Sequence, residues 1–166
     1  HVRGHLYPIL PRRGLEHDFG AEAVYPDVIS YRTGGLAHET GEPGIVYHMI
    51  GINGATSVTF SDDEKIKAIA SLHPDLIIVS FGTNEAHSRR YLAQAHKMQI
   101  GRLLGMLKAA CPEAAFLLTT PPGAYVGRRR ARTINPRTVT AARIIKEYAQ
   151  ETKMAVWDMY NIVGGK

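Results

Sequence analysis

Leu76-Ile77-Ile78-Val79 is an apolar run of strand length that passes through Ser80-Phe81 and stops abruptly at Gly82-Thr83-Asn84-Glu85. Its apolar residues are continuous rather than alternating. That pattern predicts a strand buried on both faces, as in a parallel sheet covered by helices. Polar groups just past the carboxyl end of such a strand stand where open α/β sheets bind ligands. Asn84 is therefore a candidate functional residue. The position suits equally an Asn that caps the following helix or closes a turn, and the run alone leaves both readings open.

The segments around the run repeat one theme, strand then amphipathic helix. Ile45-Val46-Tyr47-His48-Met49-Ile50 reads as a strand that delivers the loop Gly51-Ile52-Asn53-Gly54-Ala55-Thr56-Ser57. Two glycines after a strand suit a phosphate cradle, yet the spacing matches neither a P-loop nor a dinucleotide fingerprint. Ser61-Asp62-Asp63-Glu64 is a capping box with Ser61 as the cap. The helix it opens carries Ile66, Ile69 and Ala70 on one stripe and ends near His73-Pro74. From about Ser88 to Ala110, Ile100, Leu103, Leu104 and Leu107 recur at helical spacing, with Gly101 and Gly105 allowing close packing. Ala114 to Thr120 is the next strand. Asn135-Pro136 fits an N-cap followed by Pro at the first helical position, and Ala141, Ile144, Ile145 and Tyr148 form that helix's buried stripe. Met154 to Asp158 is the last strand, with Asp158 read as a loop anchor.

Strands separated by helices, each needing a right-handed crossover, predict an α/β fold: flavodoxin-like, doubly wound, a mostly parallel sheet with helices on both faces. At 166 residues the chain fits a single domain. The stretch from Pro121 to Asn135 is long for a connection in a compact domain, and such loops are usually functional or disordered. It leaves the sheet at the same edge as Asn84, so Tyr125 and the run Arg128-Arg129-Arg130-Ala131-Arg132 are candidate lining for a cleft.

The same residues carry a family resemblance. Gly82-Thr83-Asn84-Glu85 resembles the third block of the SGNH (GDSL-like) hydrolases, and Gly51-Ile52-Asn53-Gly54-Ala55-Thr56 resembles the second. Both stand in family order, each directly after an apolar run. The variant with Glu85 followed by Ala86 is most similar to carbohydrate O-acetylesterases, peptidoglycan O-acetylesterases among them. The likeness extends through Thr119-Thr120-Pro121-Pro122-Gly123, Asn135-Pro136-Arg137-Thr138 and Trp157-Asp158-Met159-Tyr160. It implies an oxyanion hole made by the Gly54 N–H and the Asn84 side-chain amide; Glu85, beside Asn84, and Tyr125, in the long loop, are the candidate substrate contacts.

The resemblance also implies blocks that residues 1–166 do not contain. The family's Gly-Asp-Ser block, which holds the nucleophile, would precede His1-Val2-Arg3-Gly4-His5, and its Asp-x-x-His block would follow Gly164-Gly165-Lys166. The expectation is an internal piece of a hydrolase lacking the first strand and the C-terminal catalytic segment, incomplete in its core and inactive by itself. Ser57 lacks an Asp-x-x-His partner, and Ser80 sits within the expected buried run, so neither replaces the nucleophile.

The implied activity is a serine esterase that removes O-acetyl groups from a cell-envelope glycan or other carbohydrate through an acyl-enzyme. The resemblance suggests a cell-envelope, periplasmic or secreted location. An acetylated glycan or small ester is the expected partner, with no nucleic acid, no stable membrane insertion and no cofactor. A glycan O-acetyltransferase using the same site is the first alternative. A non-catalytic carbohydrate-binding or nucleic-acid-binding α/β domain is the second, the nucleic-acid reading resting on the arginine run and a net charge of +5. His1 and His5 share the four-residue spacing of zinc peptidase motifs, but Val2 stands where those motifs carry Glu, so no metal site is expected. Cys111 has no second cysteine to pair with, and an isolated thiol at a helix end reads as inert.

Overall fold

A computed structural model describes residues 47–127 and 132–165. The chain divides between Asn53 and Gly54, and the elements below belong to the unit that starts at Gly54. They are α1 (Ser57–Phe60), α2 (Asp63–Ala70), β1 (Leu76–Ser80), α3 (Thr83–His87), α4 (Ala93–Ala110), β2 (Ala115–Thr119), β3 (Tyr125–Val126), β4 (Thr133–Ile134), α5 (Pro136–Thr152), β5 (Ala155–Trp157) and α6 (Met159–Ile162). His1, His5, the segment from Ala21 to Glu42 and Arg128 to Arg130 lie outside the described residues.

β1, β2 and β5 form a parallel sheet in that order. Leu76 pairs with Ala115 and Ser80 with Thr119, while Leu117 to Thr119 pair with Ala155 to Trp157. Parallel neighbours need crossovers; α4 supplies the first, and the β3–β4 hairpin followed by α5 supplies the second. The arrangement is an α/β fold with a parallel sheet and packed helices.

The helical stripes form the core as their spacing predicts. Ile100, Leu103, Leu104 and Leu107 of α4 are all buried, as are Ala141, Ile144 and Ile145 of α5. Burying one such aliphatic side chain is worth about 1.5–3 kcal/mol. The two helices pack on each other, and Gly101 permits the approach: a Cβ there would lie 3.1 Å from the Tyr148 ring. Gly105 has open space around it, so close packing does not account for that residue. α4 stops at Cys111-Pro112, where Pro cannot extend the helix. Cys111 is buried, and burial pushes its thiol pKa up, which keeps it inert.

Four local expectations change. β1 is not buried on both faces: Val79 is buried, whereas Leu76 and Ile78 are 52% and 48% exposed. Val79 pairs with the buried Leu118, and α5 packs against β2 and β5. Of the strand expected over Ile45 to Ile50, positions 45 and 46 lie outside the described residues and 47–50 are not in a strand; among the described residues the parallel ladders are β1–β2 and β2–β5, and neither includes them. The cap of α2 is Asp62, whose carboxylate accepts from the Lys65 N–H, while the Ser61 hydroxyl donates back to the Ser57 carbonyl. The helix expected from Ser88 starts at Ala93, after the separate short helix α3.

Candidate active site

The turn after β1 can only be made by glycine. Gly82 has φ +116°, a region that L side chains rarely adopt, and a Cβ there would lie 3.0 Å from the Pro121 ring and 3.4 Å from Ile145. Pro121 follows β2, so the turn is wedged against the end of the neighbouring strand. The chain reverses and enters α3 with Asn84 exposed at the carboxyl end of the sheet.

Asn84 Nδ2 donates to the Ala55 carbonyl at 2.7 Å. This bond fixes the amide orientation, since turning it over would set its own oxygen against another carbonyl. It also ties the turn after β1 to the loop 29 residues earlier. Gly54, directly before Ala55, is exposed, has φ +76° and has open space where a Cβ would stand. Gly54 and the neutral Asn84 side-chain amide are thus both exposed and joined through Ala55. Donors of this kind can meet negative charge on an oxygen without titrating.

Beneath them lies Glu85, 7% exposed. Its Oε1 accepts the Ser57 N–H at 2.8 Å and its Oε2 the Gly82 N–H at 2.9 Å. Net contributions for bonds to a charged acceptor run at about 1.5–3 kcal/mol each. Around it are Tyr91 and His96, joined Oη to Nδ1 at 3.1 Å. Burial, with the Glu85 charge, pushes the Tyr91 phenol up to about 12, so it stays protonated. Burial lowers the His96 pKa, and the Glu85 charge opposes this only in part. The ring is therefore neutral, with Nε2 buried and unpartnered.

Asn135 fastens the other side. It is fully buried; its Nδ2 donates to the Ala86 carbonyl at 2.9 Å, its Oδ1 accepts from the Arg137 N–H, and its own N–H donates to the Ala124 carbonyl. The Asn135 side chain thereby links α3 to α5, and its backbone N–H holds the residue before β3. The stretch from Pro121 to Asn135 is thus partly ordered as β3 and β4, with Tyr125 54% exposed on β3. Arg132 is exposed.

Asp158 anchors the loop after β5 through Lys146, Thr120 and Asn161. The hydrogen bond from Lys146, with those from Asn161 and Thr120, holds its carboxyl below the usual range. Ser80 is exposed rather than buried, and its Oγ accepts from Thr119 Oγ1. Ser57 is fully buried, with its hydroxyl unpartnered. Among the described residues, no three or more His, Cys, Asp and Glu side chains gather to hold a metal, and no helix is long and apolar enough to cross a membrane.

Sequence reasoning placed Asn84 and Gly54 near one another only through the family likeness. It missed the double bond-holding role of Glu85, although Gly82 and Glu85 have the spacing at which a third-residue Glu reaches back to the cap N–H. It read Asn135 as a cap and missed the bond to Ala86. No local signal marks that bond, because its partners are 49 residues apart.

Comparison with known proteins adds a family to this geometry. The sequence model of the GDSL-like lipase/acylhydrolase family matches residues 19–166. A solved peptidoglycan O-acetylesterase is similar to this chain, with a TM-score of 0.61 and 21% identity over 69% of this chain and 33% of its own. A lipase/acylhydrolase from Enterococcus faecalis is similar with a TM-score of 0.51 and 20% identity, over 68% of this chain and 55% of its own. The chain thus spans a third to about half of those structures. No curated protein sequence matches significantly. With the β1–β2–β5 order, these likenesses give the fold as flavodoxin-like.

Proposed function

The chain belongs to the GDSL-like lipase/acylhydrolase family, and from that premise we propose a serine esterase that removes O-acetyl groups from a carbohydrate. In this reading Gly54 and Asn84 form the oxyanion hole, and Tyr125 contacts the sugar. A cell-envelope glycan is the favoured substrate, since one structural relative is named for peptidoglycan O-acetyl esters. The observation that carries the reading is the 2.7 Å bond from Asn84 Nδ2 to the Ala55 carbonyl, which ties the amide to the loop that carries Gly54.

The proposed chemistry is acyl transfer. A serine oxygen adds to the acetyl carbonyl carbon while a histidine takes its proton, and the carbonyl electron pair moves onto oxygen. The Gly54 N–H and Asn84 Nδ2 donate to that oxygen. Collapse expels the sugar oxygen, which takes the proton from histidine, and water repeats the sequence to release acetate. Donors aimed at the charge that develops in the transition state act on kcat more than on KM.

Residues 1–166 match neither the Gly-Asp-Ser block nor the Asp-x-x-His block. The activity is therefore proposed for a protein carrying all four blocks, and these residues alone are proposed to form no acyl-enzyme. The test compares residues 1–166 with a chain extended to include both blocks, using an activated acetyl ester, an O-acetylated glycan and a serine-directed phosphonate. Turnover, acetate release and labelling are expected only in the longer chain. Stoichiometric labelling and equal turnover of the shorter one would refute the assignment of the nucleophile.

A further inference from the structure

We infer that Glu85 is a positioning residue, a buried carboxylate strap that sets the spacing between the two oxyanion donors. The inference rests on the proposed oxyanion hole and deepens it. Each end of the strap lies close in sequence to one donor. Oε1 holds the Ser57 N–H at 2.8 Å, three residues after Gly54, and Oε2 holds the Gly82 N–H at 2.9 Å, two residues before Asn84.

The Asn84–Ala55 bond is exposed and therefore open to competition from water. Both Glu85 bonds are buried, and the one to Ser57 reaches across 28 residues, which makes the pair the stronger constraint on how far the loops move apart. With both oxygens occupied and the side chain 7% exposed, Glu85 is not free to contact substrate.

A carboxylate is required because both partners are donors. An acid accepts two N–H groups at once, whereas a glutamine of the same shape must turn its NH₂ toward one of them. Glu85→Gln therefore leaves one loop unheld. Glu85→Asp keeps the two acceptor oxygens on a stem shorter by one methylene and retains the strap in weaker form. Because positioning errors on the order of 1 Å can cost about 10²-fold, the loss appears in kcat.

The test uses the chain carrying all catalytic blocks and an activated acetyl ester. Glu85→Gln is expected to lower kcat by about 10- to 100-fold with KM changed less than about threefold, and Glu85→Asp to recover much of that loss. Leu103→Ala, a core change remote from the loops in sequence, serves as the comparator and is expected to lower thermal stability without the kcat loss. Amide exchange in the wild type provides a readout independent of activity: the Ser57 and Gly82 N–H groups are expected to be protected, and in Glu85→Gln one of them to lose protection.

Unprotected Ser57 and Gly82 amides in the wild type overturn the strap directly. An active wild type, an impaired Asn84→Ala and a Glu85→Gln enzyme with kcat within twofold of wild type overturn positioning while leaving the oxyanion reading intact. If Glu85→Gln fails to fold, a Glu85→Asp kcat no better than that of Asn84→Ala overturns it instead. Wild-type inactivity on acetyl esters overturns both.

Discussion

Asn84 Nδ2 and the Ala55 carbonyl oxygen lie 2.7 Å apart, so the amide proposed to stabilise the oxyanion is held by the loop that carries its partner donor. The contact distinguishes two substitutions. Asn84→Ala removes a donor, whereas Asn84→Asp sets a carboxylate against a carbonyl and, during reaction, against a developing anion. Asn84→Asp should therefore lose at least as much kcat as alanine, about 10³-fold, and melt earlier. A parallel steady-state and melting comparison of the two variants checks this, and aspartate outperforming alanine would contradict it.

The two positive-φ glycines of the site should differ in cost. Gly82→Ala meets both an unfavourable backbone region and the Pro121 ring at 3.0 Å, while Gly54→Ala meets only the backbone term. The expected losses are about 2–4 kcal/mol and about 1 kcal/mol. Urea unfolding of the two variants reads the difference, and equal losses would argue against the wedged turn.

Stability should depend on pH through His96. Burial lowers its pKa in the folded state below 6.5, so in that window the unfolded chain binds more protons and stability rises with pH. The neutral-ring contribution is complete above 6.5 and is lost as pH falls through 6.5 toward the folded value. Acidification from pH 7.5 to 5 should therefore destabilise the wild type more than His96→Gln. Unfolding curves for both proteins at the two pH values check this; a difference that does not change with pH would contradict it.

Asn135→Ala removes the cap on α5 and leaves the buried Ala86 carbonyl without its donor. Together these should cost about 2–4 kcal/mol. Asn135→Asp keeps the cap acceptor but sets a fully buried carboxylate oxygen against the Ala86 carbonyl, so it should lose at least as much as alanine. A clearly smaller loss for aspartate than for alanine in denaturant unfolding would contradict the linking role.

Element type and core were largely legible from periodicity: the stripes of α4 and α5 lie buried where their spacing put them, and Asn135-Pro136 starts α5. Burial of both faces of β1 was not legible, because a continuous apolar run reports what a strand tolerates, not what covers it. Leu76 and Ile78 are exposed. The cap of α2 was displaced by one residue because Ser61 and Asp62 are both good caps, and Ser61 is drawn to the Ser57 carbonyl instead. The site was legible as two short blocks. The bonds joining them, Glu85 to Ser57 and Asn84 to Ala55, are tertiary and leave no local pattern.

The central claim is that Gly54 and Asn84 act together on an oxyanion, and Asn84→Ala in a chain carrying all catalytic blocks tests it most directly. Steady-state kinetics with an activated acetyl ester should give a kcat lower by about 10²–10³-fold and a much smaller change in KM. A kcat equal to the wild type would contradict the claim.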